Sequence, residues 1–198
     1  MKPDRSNSLA LLVIALAFAF AASVAGDVAA LDFGQVSAHK KGRRAMGFVL
    51  QTKAFASGAE IPAKYTCSGE NVSPALSWNG APQGTKSFAL IVDDPDAPSG
   101  TFTHWLVYDL PVTTLQLPEN VSPADDLSGG GRQGRNDFRR VGYGGPCPPP
   151  GKAHRYFFRL YALNSQLNLP AGAPRREVEN ALRGHILAQA EIMAKFAR

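Results

Sequence analysis

The chain has 198 residues, 44% of them hydrophobic and 19% charged, with a formal net charge of +5. That length is enough for one domain whose core needs no metal or disulfide staple. Basic clusters at Lys40-Lys41, Arg43-Arg44 and Arg132 to Arg140 come with no aromatic ladder or nucleic-acid motif, so they read as a solvated face and argue against a nucleic-acid partner.

Lys2 and Arg5 precede an uncharged apolar run, Leu9 to Ala22, which ends in the small residues Ser23 and Ala25. This is the layout of a secretory signal peptide over residues 1–25, with Ala30 a weaker cleavage point. Cleavage after Ala25 removes 25 residues of 198, leaving 173, and takes away Lys2, Arg5 and Asp4, leaving a net charge of +4. The competing reading is an uncleaved anchor, since Ser6 to Gly26 is uncharged. The short apolar core and its processing-type ending favour cleavage and a periplasmic or secreted protein with no stable membrane span. No cysteine follows the run, which argues against a bacterial lipid anchor. Residues 26–45 mix small, polar and basic types and read as a flexible leader, so the domain runs over residues 46–198.

Gly47 to Leu50 is a first strand candidate, and Ile61 to Cys67 reads as extended with a break at Pro62. The polar loop Ser68 to Pro74 leads into Ala75-Leu76-Ser77-Trp78, where Trp78 is expected in the core. Phe88 to Val92 and Trp105 to Leu110 read as buried strands, and Pro118 to Gly134 as a long surface connection. Gly142 to Gly151 carries too many glycines and prolines for any regular element and must be a loop of fixed shape before the strand Phe157 to Leu163. Beyond Pro174, residues Val178, Leu182, Ile186, Ala190 and Met193 recur at helical spacing. That predicts one amphipathic helix closing the chain. Strands first and a helix last argue for a mostly antiparallel β-fold with a C-terminal helix.

Two loops carry the chemistry. Asp93-Asp94-Pro95-Asp96-Ala97-Pro98 joins two apolar strands and reaches His104 where the second begins; the Gly145-Pro146-Cys147-Pro148-Pro149 loop reaches His154 and Tyr156. A turn and structural histidines are the plain reading. If the strands lie side by side, Asp94, His104, His154 and Tyr156 converge on a pocket where imidazoles, a phenol and backbone N–H groups donate to an anion. A carboxylate beside an imidazole favours its protonated form. Cys67 and Cys147 lack the two further close ligands of a zinc site, and two cysteines alone leave pairing open.

Asp94-Pro95-Asp96-Ala97-Pro98 with His104-Trp105, Gly145 to Pro149 with His154-Arg155-Tyr156, Tyr65 to Trp78, and Gly184-His185-Ile186-Leu187-Ala188 stand in an order that resembles the phosphatidylethanolamine-binding protein family, nearest its bacterial Raf kinase inhibitor-like branch. The resemblance covers roughly Phe48 to Met193. It implies an antiparallel β-sandwich with a small anion pocket at one end, made by Asp94, Asp96, His104, Gly145, Pro146, His154 and Tyr156. Phosphate, a carboxylate or a phosphoethanolamine-like headgroup would occupy it, with no cofactor or metal. It also implies that the Cys67 and Cys147 loops lie near the pocket, which leaves a disulfide between them open. Three positions depart from the pattern: Phe102 replaces a longer tyrosine-bearing segment, Arg139 stands where relatives carry glycine, and Ala194-Lys195-Phe196 lacks a glycine before the last aromatic.

The reading that follows is a secreted, non-enzymatic binding protein for a small anion or phospholipid headgroup. The alternative is an inhibitor of a protease or other extracytoplasmic enzyme, with the rigid Cys147 to Pro150 loop as the contact to that protein partner. A His/Asp-dependent hydrolase comes last, because the chain has neither a Gly-x-Ser-x-Gly elbow nor a His-Glu-x-x-His motif.

Overall fold

A computed structural model describes residues 47–198; the signal peptide and leader expected over residues 1–45 lie outside the described residues. Two antiparallel sheets form the body. The smaller consists of β1 (Val49–Gln51), β2 (Leu76–Asn79) and β5 (Gln116–Leu117), in that spatial order. The larger consists of β3 (Ser87–Asp94), β4 (Phe102–Pro111), β6 (Arg132–Gln133), β7 (His154–Leu163) and β8 (Ile186–Phe196), in the order β6-β4-β3-β7-β8. Among the described residues no helix is long and apolar enough to cross a membrane.

The central strand β3 is buried at every position, which is why its sequence shows an unbroken apolar run instead of alternation: both of its faces are covered. Phe88, Leu90 and Val92 face the small sheet and pack with Leu50, Leu76, Trp78, Trp105 and Phe158. Ala89 and Ile91 face the other way, toward Leu106, Tyr108, Val178 and Leu182. Each large apolar side chain so buried contributes about 1.5–3 kcal/mol. One strand therefore anchors two cores, the second of them roofed by helix α1 (Arg175–Leu182).

The C-terminal helix is present, but shorter than the apolar stripe that predicts it. It starts after Pro174 and ends at Leu182, and Gly184, at φ +79°, follows just beyond. Ile186, Ala190 and Met193 lie in β8, so a strand and not a helix closes the chain. A spacing of four places two residues on one face of a strand as well as of a helix, so Ile186 and Ala190 fit both periods. What decides between them is the true alternation at Ala190, Ile192, Ala194 and Phe196, together with a partner, since β8 pairs along β7 from His154↔Phe196 to Leu163↔Ile186. The stretch Ile61 to Cys67 is likewise not extended. It holds a 3-10 turn, Ala63–Tyr65, entered from Pro62, whose fixed φ suits the start of a helical turn. The connection Pro118 to Gly134 carries its own tie: buried Gln133 accepts from Trp105 Nε1 at 2.7 Å and donates to the carbonyls of Ser122 and Ala124.

Candidate functional site

At the end of β3 two adjacent carboxylates part company, because neighbouring strand residues point to opposite faces. Asp93 turns to the helix side, where Arg159 Nη1 donates to it at 2.5 Å. Arg175 adds a charge contact at 2.8 Å that lacks hydrogen-bonding alignment. Asp94 turns to the sandwich side. Its Oδ2 receives His154 Nδ1 at 2.7 Å, and its Oδ1 receives the backbone N–H of Asp96 at 2.8 Å, which fixes the first bend of the acidic loop. Asp96 itself is clamped from outside by Arg155, whose Nε and Nη2 donate at 2.8 and 2.7 Å. That guanidinium holds the Asp96 carboxyl well below the usual carboxylate range.

His104 reaches the same side through an irregularity in β4. Val92 pairs with Trp105 and Asp93 with Thr103, so His104 is the extra residue of a β-bulge. Bulges re-aim side chains, and here the bulge brings His104 beside Tyr156, at 5.2 Å between ring centroids, while its neighbour Trp105 stays in the sandwich core. His104 Nδ1 donates to the Gly144 carbonyl at 2.6 Å, and the Gly144 N–H returns to the His104 carbonyl at 2.9 Å. Burial pushes this imidazole below its ordinary value of 6.5, against the opposing pull of that carbonyl and of Asp94. The ring is therefore neutral at pH 7, with Nε2 bare as an acceptor.

Between the acidic loop and the proline-rich loop lies a cavity of about 300 Å³. Asp94, Ser99, His104, His154 and Tyr156 make its polar part; Ala97, Pro98, Phe102, Phe138, Pro148 and Pro149 are the main apolar wall, and no lysine or arginine among the described residues lines it. The rings of Phe102, Phe138 and Tyr156 stand edge-on or tilted around His104 at centroid distances of 5.2 to 5.4 Å. Tyr156 is 1% exposed, and its hydroxyl has no hydrogen-bond partner among the described residues. Desolvation first, and then the Asp94 carboxylate, push this phenol far above its ordinary value, so it stays an O–H donor.

Of the seven residues the resemblance assigns, Asp94, His104, His154 and Tyr156 meet in this cavity, while Asp96, Gly145 and Pro146 stand behind it. The Gly145 N–H does not face an open site; it donates to Asn71 Oδ1 at 2.7 Å. A Cβ on Gly145 would stand 2.5 Å from the Tyr65 carbonyl and 2.6 Å from Asn71 Oδ1, so glycine is there for close approach. The Pro146 carbonyl accepts from the Cys67 N–H at 3.0 Å, and Tyr143 Oη donates to the Tyr65 carbonyl at 2.7 Å. Cys67 and Cys147 are joined by a disulfide with Cα atoms 5.4 Å apart. The loop of residues 65–71 thus braces the loop that walls the pocket.

Sequence reasoning missed Asn71, which sits in the left-handed region at φ +58°, and Phe138, which the paired bonds of Thr103 with Asp137 hold against the cavity. The Tyr65 to Trp78 motif contained the first, and Asn136-Asp137-Phe138 the second, but neither announces a long-range contact. Arg139 stands outside the cavity lining, at φ +63°.

A family profile described as phosphatidylethanolamine-binding protein matches residues 51–197. The chain is 54% identical over 149 residues to a UPF0098 protein of Aquifex aeolicus, covering 74% of this chain and 86% of that protein. A UPF0098 protein of Methanothermobacter thermautotrophicus is 50% identical over 149 residues, with coverage of 75% and 98%. Among solved structures, Escherichia coli YbcL, a member of the mammalian PEBP family, superposes with a TM-score of 0.71 at 35% identity, covering 76% of this chain and 98% of that one. A homologue from Chlamydia trachomatis gives 0.70 at 37% identity, with coverage of 77% and 98%.

Proposed function

The chain belongs to the phosphatidylethanolamine-binding protein family, and on that premise we propose that it binds, without catalysis, a small anionic group such as phosphate, a carboxylate or a phosphoethanolamine-like headgroup. The observation that carries this reading is the Tyr156 hydroxyl, a buried donor at the wall of the cavity that lies beside the Asp94 carboxylate yet completes no hydrogen bond among the described residues. Leaving such a group unpaired costs about 1–3 kcal/mol, which a ligand oxygen recovers. His154, oriented by Asp94, adds a second donor and a positive charge when protonated. The apolar wall excludes water and strengthens each of these bonds. With no lysine or arginine among the described lining residues, the site offers hydrogen bonds before net charge.

Two observations favour binding over hydrolysis. The hydrogen bonds of the two rings go to a carboxylate and a carbonyl, not to a serine or a thiol. The chain also carries no nucleophile motif. A second reading, inhibition of an extracytoplasmic enzyme, draws on the Cys147 to Pro150 loop, exposed at Pro149 and Pro150 and held at its base by the disulfide; a pre-ordered loop loses little entropy on docking. The proposed address, periplasmic or secreted, is supported by the signal-like layout of residues 1–25 and by a cysteine pair suited to an oxidising compartment. N-terminal sequencing of the protein recovered from periplasm and cytosol checks it.

The test is a titration with phosphate and with phosphoethanolamine, following the histidine ring signals by NMR between about pH 5.5 and 7.5. Saturable shifts in His104 and His154 are expected. Tyr156→Phe should weaken the affinity about tenfold, equivalent to about 1.4 kcal/mol. Silent histidines, or an unchanged affinity in Tyr156→Phe, reject the assignment.

A further inference from the structure

The Cys67–Cys147 bond stands at the rim of the cavity, and its two ends differ. Cys67 is exposed, whereas Cys147 is half-buried and lines the cavity wall. Arg198 Nη1 donates to Cys147 Sγ at 3.5 Å, and the Gly151 N–H holds the Arg198 backbone oxygen at 3.2 Å, which tethers that residue to the same loop. A guanidinium beside one sulfur stabilises that sulfur as a thiolate and makes it the better leaving group.

We infer that this disulfide is a thiol-exchange site, opened by a low-molecular-weight thiol at Cys67, and that the thiolate released on Cys147 weakens anion binding in the adjoining cavity. In the first step the incoming thiolate's electron pair forms a bond to Cys67 Sγ. The Cys67–Cys147 bond breaks, and its electron pair departs on Cys147, paired with Arg198. A second thiol then attacks the mixed disulfide, so the protein pair is reduced and two small thiols are oxidised to their own disulfide. The pocket wall survives the opening, because Tyr143 to Tyr65, Gly145 to Asn71 and Cys67 to Pro146 remain hydrogen-bonded. What changes is charge. A new anion stands where the wall was neutral, and it repels a bound phosphate across a cavity of low dielectric. The exchange chemistry is independent of the anion-pocket reading; the effect on binding rests on it.

The folded, oxidised protein is treated with glutathione, quenched in acid, alkylated, and mapped by peptide mass spectrometry. Glutathione is expected on Cys67, with Cys147 alkylated. Arg198→Gln, at an exposed position, is expected to slow the exchange about threefold, the effect of a one-unit change in thiol acidity at a Brønsted coefficient of about 0.5. Glutathione found on Cys147, an equal rate in Arg198→Gln, or exchange only in denaturant each overturns the site. Phosphate titration of both redox forms then tests the coupling. Severalfold weaker binding by the reduced form supports it, and equal binding overturns it. Absence of phosphate binding in both forms rejects the pocket reading while the exchange result stands on its own.

Discussion

Replacing Cys67 and Cys147 together by alanine removes a cross-link between residues 80 apart in sequence. For a closed loop of that length the chain-entropy relation gives about 15 cal/mol/K, or about 4.5 kcal/mol at 25 °C. The two native loops keep their three hydrogen bonds without the bond between the sulfurs, so nearly the whole effect acts through the unfolded chain. Measured losses usually fall somewhat below the entropic value, and about 3–4.5 kcal/mol is expected here. Urea unfolding followed by tryptophan fluorescence reads it directly, and thermal scans should show a fall on the order of 10 °C. The m-value should rise in the variant, since a chain without the link exposes more surface when it unfolds. Wild-type protein unfolded in the presence of a reductant should coincide with the variant. A loss below about 1 kcal/mol, or an unchanged m-value, refutes the reasoning.

Three further outcomes are expected. Arg139→Gly relieves a left-handed backbone at φ +63° and should stabilise by about 0.5–1 kcal/mol in urea unfolding while leaving phosphate affinity unchanged; destabilisation would mean that the Arg139 side chain makes contacts that matter. Gly145→Ala drives a Cβ to within 2.5 Å of the Tyr65 carbonyl and should destabilise by about 2 kcal/mol, and a neutral result in the same assay would show that the brace yields easily. His104, held below 6.5 by burial, takes up a proton more readily in the unfolded chain than in the folded one. Its contribution is therefore fully present above about pH 6.5 and is lost as pH falls below that value. The stability of the wild type should drop across this window more steeply than that of His104→Gln, and parallel slopes would remove His104 from the account.

The strands that carry the site were legible from two different patterns. Phe88 to Val92 is an unbroken apolar run covered on both faces, whereas Phe157 to Leu163 alternates half-buried and buried positions with the period of a strand. The meeting of Asp94, His104, His154 and Tyr156 also followed from strand ends, once the strands were neighbours. The bulge at His104 was not legible, because an extra residue in a ladder changes the pairing and leaves no mark on composition. Nor was the fate of Gly145, whose N–H looked available to an anion and is taken by Asn71, seventy-four residues earlier. β8 was misread where two periods coincide, and only the presence of β7 beside it resolves the ambiguity. Local pattern gave the elements; contacts distant in sequence decided which polar groups remained free.

The divergence of Asp93 and Asp94 also bears on how the sheet assembles. If β3 paired one residue out of register, every side chain would change face. A slip one way seats Asp94 where Asp93 stood and Pro95 where Asp94 stood, so His154 loses the oxygen that orients it; a slip the other way puts Val92 in place of Asp93, so Arg159 and Arg175 lose the acceptor they share. Either misalignment strands a charged partner in one layer, which disfavours both neighbouring registers of the central ladder. The acidic pair thus guards the alignment of the protein even when its pocket is empty.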